Sequence, residues 1–280
     1  MPNHERDYLT LLLNQYWFAP PVALWRAVEL RTLAHESFPR PILDLGCGDG
    51  LIAQVLFEGE PPVEVGFDPW PGQVRKAPAS AAYRHVQQAL GSAMPYPAGM
   101  FGCIFSNSVL EHIPNLEPVL KEAARVLRPG GRFLATVPSD AFRRLLAGYR
   151  ARVQVGDFAG AEVYAGTVDR RLEHHRYPSP QDWETMLARA GLQLRRYRYY
   201  IPAEVEVLWD QANATYGIHE DGSQLYRWLA SPRLRRFGYQ KGIRRLVVKR
   251  LSEHWRRAYE LDVPDGGVGG GLLVVAEKVN

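Results

Sequence analysis

The run Pro41-Ile42-Leu43-Asp44-Leu45-Gly46-Cys47-Gly48-Asp49-Gly50 constrains this chain more than any other stretch. A short apolar segment enters a turn carrying Gly46, Gly48 and Gly50, and a helical pattern begins at Leu51. A strand that hands a glycine turn to a helix start lets a ligand lie directly against bare backbone. A second apolar run, Val63-Glu64-Val65-Gly66-Phe67, follows and ends in Asp68. An acidic residue at the tip of the second strand suits the two hydroxyls of a ribose. Together these features describe an adenosine pocket.

The spacing of the glycines narrows the ligand further. Dinucleotide sites use G-x-G-x-x-G, with a helix N-terminus facing a pyrophosphate. Here the pattern is G-x-G-x-G, and Asp49 stands at the mouth of the helix, where it repels phosphate and suits an N-cap. Asp44, just before the turn, opposes phosphate as well and favours an ammonium group. A nucleoside with an amino-acid tail and no phosphate is S-adenosylmethionine, and on these residues the chain resembles the class I S-adenosylmethionine-dependent methyltransferases, in particular their small-molecule branch.

Further segments extend the resemblance in the family's order. Met94-Pro95-Tyr96-Pro97 resembles the family's Leu-Pro-Phe-Pro loop after the third strand. Gly102 to Ile113 resembles the fourth strand and its turn. Leu116 to Leu127 resembles the fourth helix, with Arg128-Pro129-Gly130-Gly131 leading into strand five at 132–137. Pro178 to Trp183, with Ala190-Gly191-Leu192, resembles the last helix and the entry to strand six. The likeness covers residues 40–137 and 175–200, with a final strand at 271–278. It implies an α/β fold: a doubly wound, seven-stranded, mostly parallel, Rossmann-like sheet with helical insertions after strands five and six. Two positions depart from the pattern. Ala89-Leu90-Gly91 stands where the family often has Gly-Asp-Ala, and Phe101-Gly102 where it usually has Phe-Asp.

The same resemblance implies a set of site residues. Asp44, Gly46, Cys47 and Gly48 surround the methionine part, with Cys47 acting through its backbone. Asp68 holds the ribose diol, Pro69 or Trp70 lies against the adenine, and backbone near Leu90 and Gly91 replaces the missing side-chain contact. Asn107 reaches the methionine part through its backbone. Asp44 also reads as a turn-stabilising carboxylate, and Trp70 as a core aromatic.

The acceptor end is less defined by sequence. His112 lies past the strand-four turn, and His174, His175 and Tyr177 precede a helix start; His112, His175 and Tyr177 are the candidates for catalysis. Each has a structural alternative, as a fixed turn or a packed hinge. Tyr164, Trp209 and Tyr216 either line an apolar pocket or belong to a core. A base is needed only when the nucleophile is a hydroxyl, an acidic carbon or a protonated amine.

With 280 residues and 46% hydrophobic content, the chain can bury one substantial core. The linear reading takes 1–40 as an N-terminal helical lid, or alternatively a cap on the sheet edge. Residues 5–37 form two helices broken at Pro20-Pro21. Residues 41–280 form the catalytic domain, carrying inserted segments 138–178 and 201–268 as a substrate cover. The charged N-terminus does not resemble a secretory signal, and no apolar run is long enough to span a bilayer. Cys47 and Cys103 are the two cysteines, placed for packing, which points to a reducing cytoplasm. Neither they nor the scattered histidines show metal-ligand spacing, so no metal is expected.

The net charge of +4 is uneven, with eleven Lys or Arg against two Glu between Gly222 and Glu260. The remainder is acidic, which argues against a general nucleic-acid binder. In a helix at 240–258, Ile243, Leu246, Val247, Leu251, Trp255 and Ala258 share one face, and Arg244, Arg245, Lys249, Arg250, Arg256 and Arg257 cover much of the rest. Such a helix either packs on the core with a solvated basic face or docks on an anionic membrane or a phosphate-bearing substrate. The expected activity is methyl transfer from S-adenosylmethionine to a small-molecule acceptor such as a lipid, sugar or secondary metabolite, leaving S-adenosylhomocysteine. The rivals are a non-catalytic S-adenosylmethionine-binding accessory protein and a nicotinamide oxidoreductase; the glycine spacing and Asp49 argue against the latter.

Overall fold

The apolar runs near the glycine turn become central strands because both of their faces are covered. In the computed structural model, which describes residues 6–216 and 240–279, β1 (Ile42–Leu45) and β4 (Phe101–Asn107) are buried along their whole length. Continuous rather than alternating burial is what a parallel sheet between two helical layers demands. The remaining strands are β2 (Val63–Asp68), β3 (Tyr83–Gln88), β5 (Leu127–Pro138), β6 (Leu192–Tyr199) and β7 (Gly271–Lys278). Their order is β3-β2-β1-β4-β5-β7-β6, with β7 antiparallel to β5. The seven-stranded, mostly parallel, Rossmann-like sheet expected from the motifs is therefore present. The largely exposed strands β3 and β6 form its two edges and carry charged side chains, which discourage edge pairing.

The described residues divide into two compact units. The sheet unit comprises residues 33–140, 173–198 and 271–280, and contains every strand apart from the last residue of β6. Its helices include α3 (Leu51–Leu56), α4 (Pro71–Val74), α5 (Glu117–Val126) and α9 (Pro180–Ala190). The latter opens with a capping box: Asp182 N–H donates to Ser179 Oγ at 3.2 Å and Ser179 N–H to Asp182 Oδ2 at 2.9 Å. That box fixes the end of the loop at 173–179.

Of the described residues, the helical unit gathers 6–32, 141–172, 199–216 and 240–270. It contains α1 (Tyr8–Gln15), α2 (Pro20–Leu33) apart from its last residue, α6 (Phe142–Leu145), α7 (Ala147–Gln154), α8 (Phe158–Leu172), α10 (Ala203–Tyr216) and α11 (Gln240–Tyr259). Pro20 and Pro21 open α2, where a missing N–H costs nothing. Trp25, Phe142 and Trp209 form an aromatic cluster with ring centroids 5.4–5.7 Å apart. Trp209 is thus core, and the Tyr164 hydroxyl donates to buried Asp210 at 2.7 Å. The side chain of Tyr216 and the arginines at 227, 233, 235 and 236 lie outside the described residues.

Helix α11 corrects the face assigned from periodicity. Val248, Trp255, Ala258 and Tyr259 are buried, whereas Leu246 is 57% exposed. The buried stripe is turned by roughly one residue because α11 packs on α1. There Arg256 forms a two-point pair with Asp7 (2.9 and 2.6 Å), and Arg244 Nε donates to Asn14 at 3.3 Å. Arg245, Lys249 and Arg250, within about one turn of Leu246, and Arg257, about three turns farther on, remain solvent-facing. Among the described residues no helix is long and apolar enough to cross a membrane.

Gly102 looks like a flaw in a buried strand, yet the space around it requires glycine. A Cβ there would stand 2.6 Å from the Arg40 carbonyl oxygen and 2.7 Å from that of Pro39. The Gly102 and Cys103 N–H groups both donate to the Pro41 carbonyl, and the β4–β5 register shifts between Phe101 and Cys103. An irregular strand pressed against passing backbone is a setting that selects glycine. Gly102→Ala is therefore expected to destabilise the protein by about 1–3 kcal/mol, the usual cost of overpacking, measured by urea denaturation. An unchanged midpoint would show that the backbone at 39–41 yields freely.

Candidate functional site

The end of β2 holds the glycine turn in place. Gly46 and Cys47 N–H groups donate to the Phe67 carbonyl at 2.9 and 3.0 Å, and Gly48 N–H donates to Asp68 Oδ2 at 3.1 Å. Asp68 Oδ1 accepts from Trp70 N–H at 2.8 Å. The carboxylate is thereby locked, and each oxygen keeps further acceptor capacity, enough for two vicinal hydroxyls. Gly46 adopts φ +81°, and a Cβ on it would strike the Val109 methyls at 2.4–2.6 Å. The turn after β4 thus packs directly on the glycine turn. At Gly48 a Cβ would meet nothing within 4 Å, so the backbone faces open space there.

Helix α3 begins differently from the expected pattern. Gly50, not Asp49, occupies the N-cap position; Asp49 sits one residue earlier and still accepts from Leu51 N–H at 3.2 Å. Its charge stays at the helix mouth, so its opposition to phosphate is retained.

Asp44 is buried, and the Tyr83 hydroxyl donates to its Oδ2 at 2.7 Å. Burial, together with the nearby Asp68 carboxylate, pushes Asp44 up to about 7, against the smaller opposing effect of the Tyr83 bond. No basic side chain pairs with Asp44 or Asp68 among the described residues. Tyr83 was not legible as a site residue, though Gly66 is its trace: a Cβ at Gly66 would lie 2.8 Å from the Tyr83 ring. The Cys47 thiol is pushed up by burial and by Asp44 and Asp68, which makes it inert as a nucleophile. Both cysteines are unpaired and buried.

The other cofactor-side candidates surround this point. Trp70 is 70% exposed, which excludes the core alternative and presents a flat platform beside Asp68. Ala89 N–H donates to the Asp68 carbonyl, and Gln88 Nε2 to the Pro69 carbonyl at 3.1 Å. A tight bridge between Leu90 and Ala93 follows, with Gly91 close to Val119. Asn107 uses its side chain internally, donating to Thr136 Oγ1 at 2.7 Å.

The turn at 108–114 and the loop at 173–177 are clasped together. The Glu173 carbonyl lies 3.1 Å from His112 Nδ1, His175 N–H donates to the Glu111 carbonyl at 2.9 Å, and Arg176 donates to the Pro114 carbonyl. Because a carbonyl only accepts, His112 carries its proton on Nδ1, and Nε2 points toward buried Glu111, 3.9 Å from Oε1. Of the two adjacent histidines, His174 meets His112, with ring centroids 5.2 Å apart, and its Nδ1 lies 3.0 Å from the Tyr177 hydroxyl. His175 is exposed and joins through its backbone. Ser108 (φ +48°) and Glu173 (φ +57°) hold left-handed conformations unfavourable to side chains, one in each clasped segment.

A sequence model of the methyltransferase-domain family matches residues 22–197. The chain is a class I S-adenosylmethionine-dependent methyltransferase. The methyltransferase is 32% identical over 187 residues to the demethylmenaquinone methyltransferase of Thermus thermophilus, covering 61% of this chain and 80% of the relative. It is 27% identical over 203 residues to a ubiquinone biosynthesis O-methyltransferase of Xanthomonas axonopodis, covering 68% and 80%. Among solved structures, the geranyl diphosphate C-methyltransferase of Streptomyces coelicolor superposes with a TM-score of 0.56 at 12% identity, covering 93% of this chain and 84% of that one. An S-adenosylmethionine-dependent methyltransferase from Mesorhizobium loti gives 0.52 at 17%, covering 91% and 100%. Both structures share the fold. The cofactor fits the residues present: two buried carboxylates without basic partners suit a cationic ligand, and the open backbone at Gly48 leaves it room.

The raised Asp44 makes a stability prediction. Its folded-state value lies above the ordinary 3.8, so its contribution is fully present below that value and lost as pH rises to about 7. The loss is on the order of 4 kcal/mol. Asp44→Asn mimics the protonated acid, so urea titrations should show a gain of about 2 kcal/mol or more at pH 8 and little at pH 4. Equal gains at both pH values would mean that Asp44 is not held protonated.

Proposed function

We propose that this methyltransferase acts on a small amphipathic acceptor of quinol or phenol type. The observation that carries the reading is the acid-lined glycine turn, unsuited to phosphate, packed through Val109 against the turn that bears His112. The names of the relatives from Thermus and Xanthomonas support the acceptor class.

In this reading Asp68 takes the ribose diol, and Pro69 and Trp70 flank the adenine with backbone at Leu90 and Gly91. Asp44, with the backbone of Gly46, Cys47, Gly48 and Asn107, holds the amino-acid end. When bound, S-adenosylmethionine supplies an electrophilic methyl group on a sulfonium, so activation of the leaving group is already built in. What remains for the protein is alignment and handling of the acceptor's proton. Alignment alone can supply ~7–11 kcal/mol of barrier reduction in favourable cases. His112 and Tyr177 serve the proton, with His174 in place of His175 as the partner of His112.

Helix α11 serves acceptor capture in the same reading. An exposed leucine with Arg245, Lys249 and Arg250 within about one helical turn, and Arg257 farther along α11, suits the surface of an anionic bilayer, where lipid-soluble quinols reside.

Two measurements test these assignments. Asp68→Ala removes a charged acceptor of hydroxyl hydrogen bonds, so S-adenosylhomocysteine affinity should fall about 10- to 100-fold by calorimetry, and turnover of a soluble quinol should fall with it. Unaltered affinity would remove Asp68 from the pocket. The protein should also sediment with vesicles containing acidic lipid and not with neutral ones, and Lys249→Glu with Arg250→Glu should abolish this. Equal behaviour with both vesicle types would end the membrane reading.

A further inference from the structure

Glu111, His112 and His174 bring one donor atom each to within 4.8 Å of one another. Glu111 is buried, His174 half-buried and His112 solvent-facing. We propose that these three side chains form a binding site for one first-row divalent cation of the zinc class.

The donor set is the first support. Two imidazoles and a carboxylate are the ligands of open zinc sites and of other divalent centres that keep positions for water or substrate. The bonds behind the ligands are the second. A metal-binding histidine ordinarily donates its other ring N–H to an oxygen, which fixes the ring plane and the tautomer. Here both Nδ1 atoms are so placed, His112 against the Glu173 carbonyl at 3.1 Å and His174 against the Tyr177 hydroxyl at 3.0 Å. With Nδ1 of His112 committed as donor, Nε2 lies toward Glu111.

The backbone is the third support. Glu173 adopts its unfavourable left-handed conformation at the residue whose carbonyl receives His112. Two further bonds hold the loop to the turn, from His175 N–H to the Glu111 carbonyl and from Arg176 to the Pro114 carbonyl. Strain maintained by a clasp of this kind concentrates at binding sites. An ion at ~2.0–2.2 Å from each donor holds the donors ~3–3.6 Å apart. Closing the site therefore needs shifts on the order of 1 Å, within reach of the two less buried imidazoles.

The sequence hides this site because its ligands are two adjacent residues and a third 62 residues on, a spacing that matches no local metal motif. With an ion bound, both ring nitrogens of His112 are committed, and the proton-handling role given to His112 above would pass to the ion, whose open positions would make a coordinated acceptor hydroxyl more acidic. That use rests on the methyl-transfer reading above, whereas ion binding does not.

The test is zinc titration of the tag-free, chelator-stripped 280-residue chain by calorimetry, with absorption spectra of the protein loaded with Co2+. One Zn2+ per chain and the intense visible bands of four- or five-coordinate Co2+ are expected. His112→Ala and His174→Ala should each weaken Zn2+ binding at least about 100-fold, and Tyr177→Phe about 10-fold. Binding of S-adenosylhomocysteine by His174→Ala should persist, which separates loss of this site from loss of the cofactor pocket or of the fold. The proposal is overturned if the unaltered chain takes up no stoichiometric ion, if its Co2+ spectrum is that of the six-coordinate aqueous ion, or if either histidine variant binds Zn2+ as the unaltered chain does.

Discussion

Three consecutive N–H groups anchoring the glycine turn to the end of β2 are the contact on which the rest of the site depends. Two go to the Phe67 carbonyl and the third to the Asp68 carboxylate. They place the turn, the acidic strand end and, through Gly46 against Val109, the turn after β4 in one crevice. Without that anchor the two carboxylates and the His112 turn would have no fixed relation. The anchor also uses only part of Asp68, so one side chain closes the backbone and still offers acceptors outward.

The same crevice works against the stability of the fold. Asp44 is kept out of water beside a second carboxylate, with a tyrosine hydroxyl in place of a cation. Such an arrangement is unfavourable in isolation and becomes favourable when a positive charge arrives. A sulfonium bearing an ammonium group meets that need and a pyrophosphate does not. Electrostatics, more than glycine count, therefore separates this pocket from a dinucleotide site. In the helical unit, Glu206 sits fully buried near Asp210 and is likewise pushed well up by burial, so its own contribution to stability, like that of Asp44, diminishes as pH rises.

Much of the sheet was legible because its cues are local. The apolar runs at 42–45, 63–68 and 101–107, the glycine turn and the Ser179-Pro180-Gln181-Asp182 cap each act within a few residues. The antiparallel last strand came from the family resemblance and holds at 271–278. What sequence could not show depends on contacts between distant segments. The exposure of Leu246 follows from the pairing of Arg256 with Asp7, far away in the chain. That the His174 ring, and not that of His175, meets His112 follows from the way one loop is clasped to another. Gly102 invited the opposite reading, since its reason lies in the passing backbone at 39–40 and not in its own strand.

The most direct measurement is the number of protons released when S-adenosylmethionine binds, obtained by calorimetry in buffers of different ionisation enthalpy. With Asp44 near half protonation at pH 7, a cationic ligand should drive it to the carboxylate and release about half a proton per chain. Release should fade toward pH 9 and be absent in Asp44→Asn. Binding with no proton release at pH 7, or equally tight binding of a nicotinamide dinucleotide, would contradict the picture of a crevice built for a phosphate-free cation.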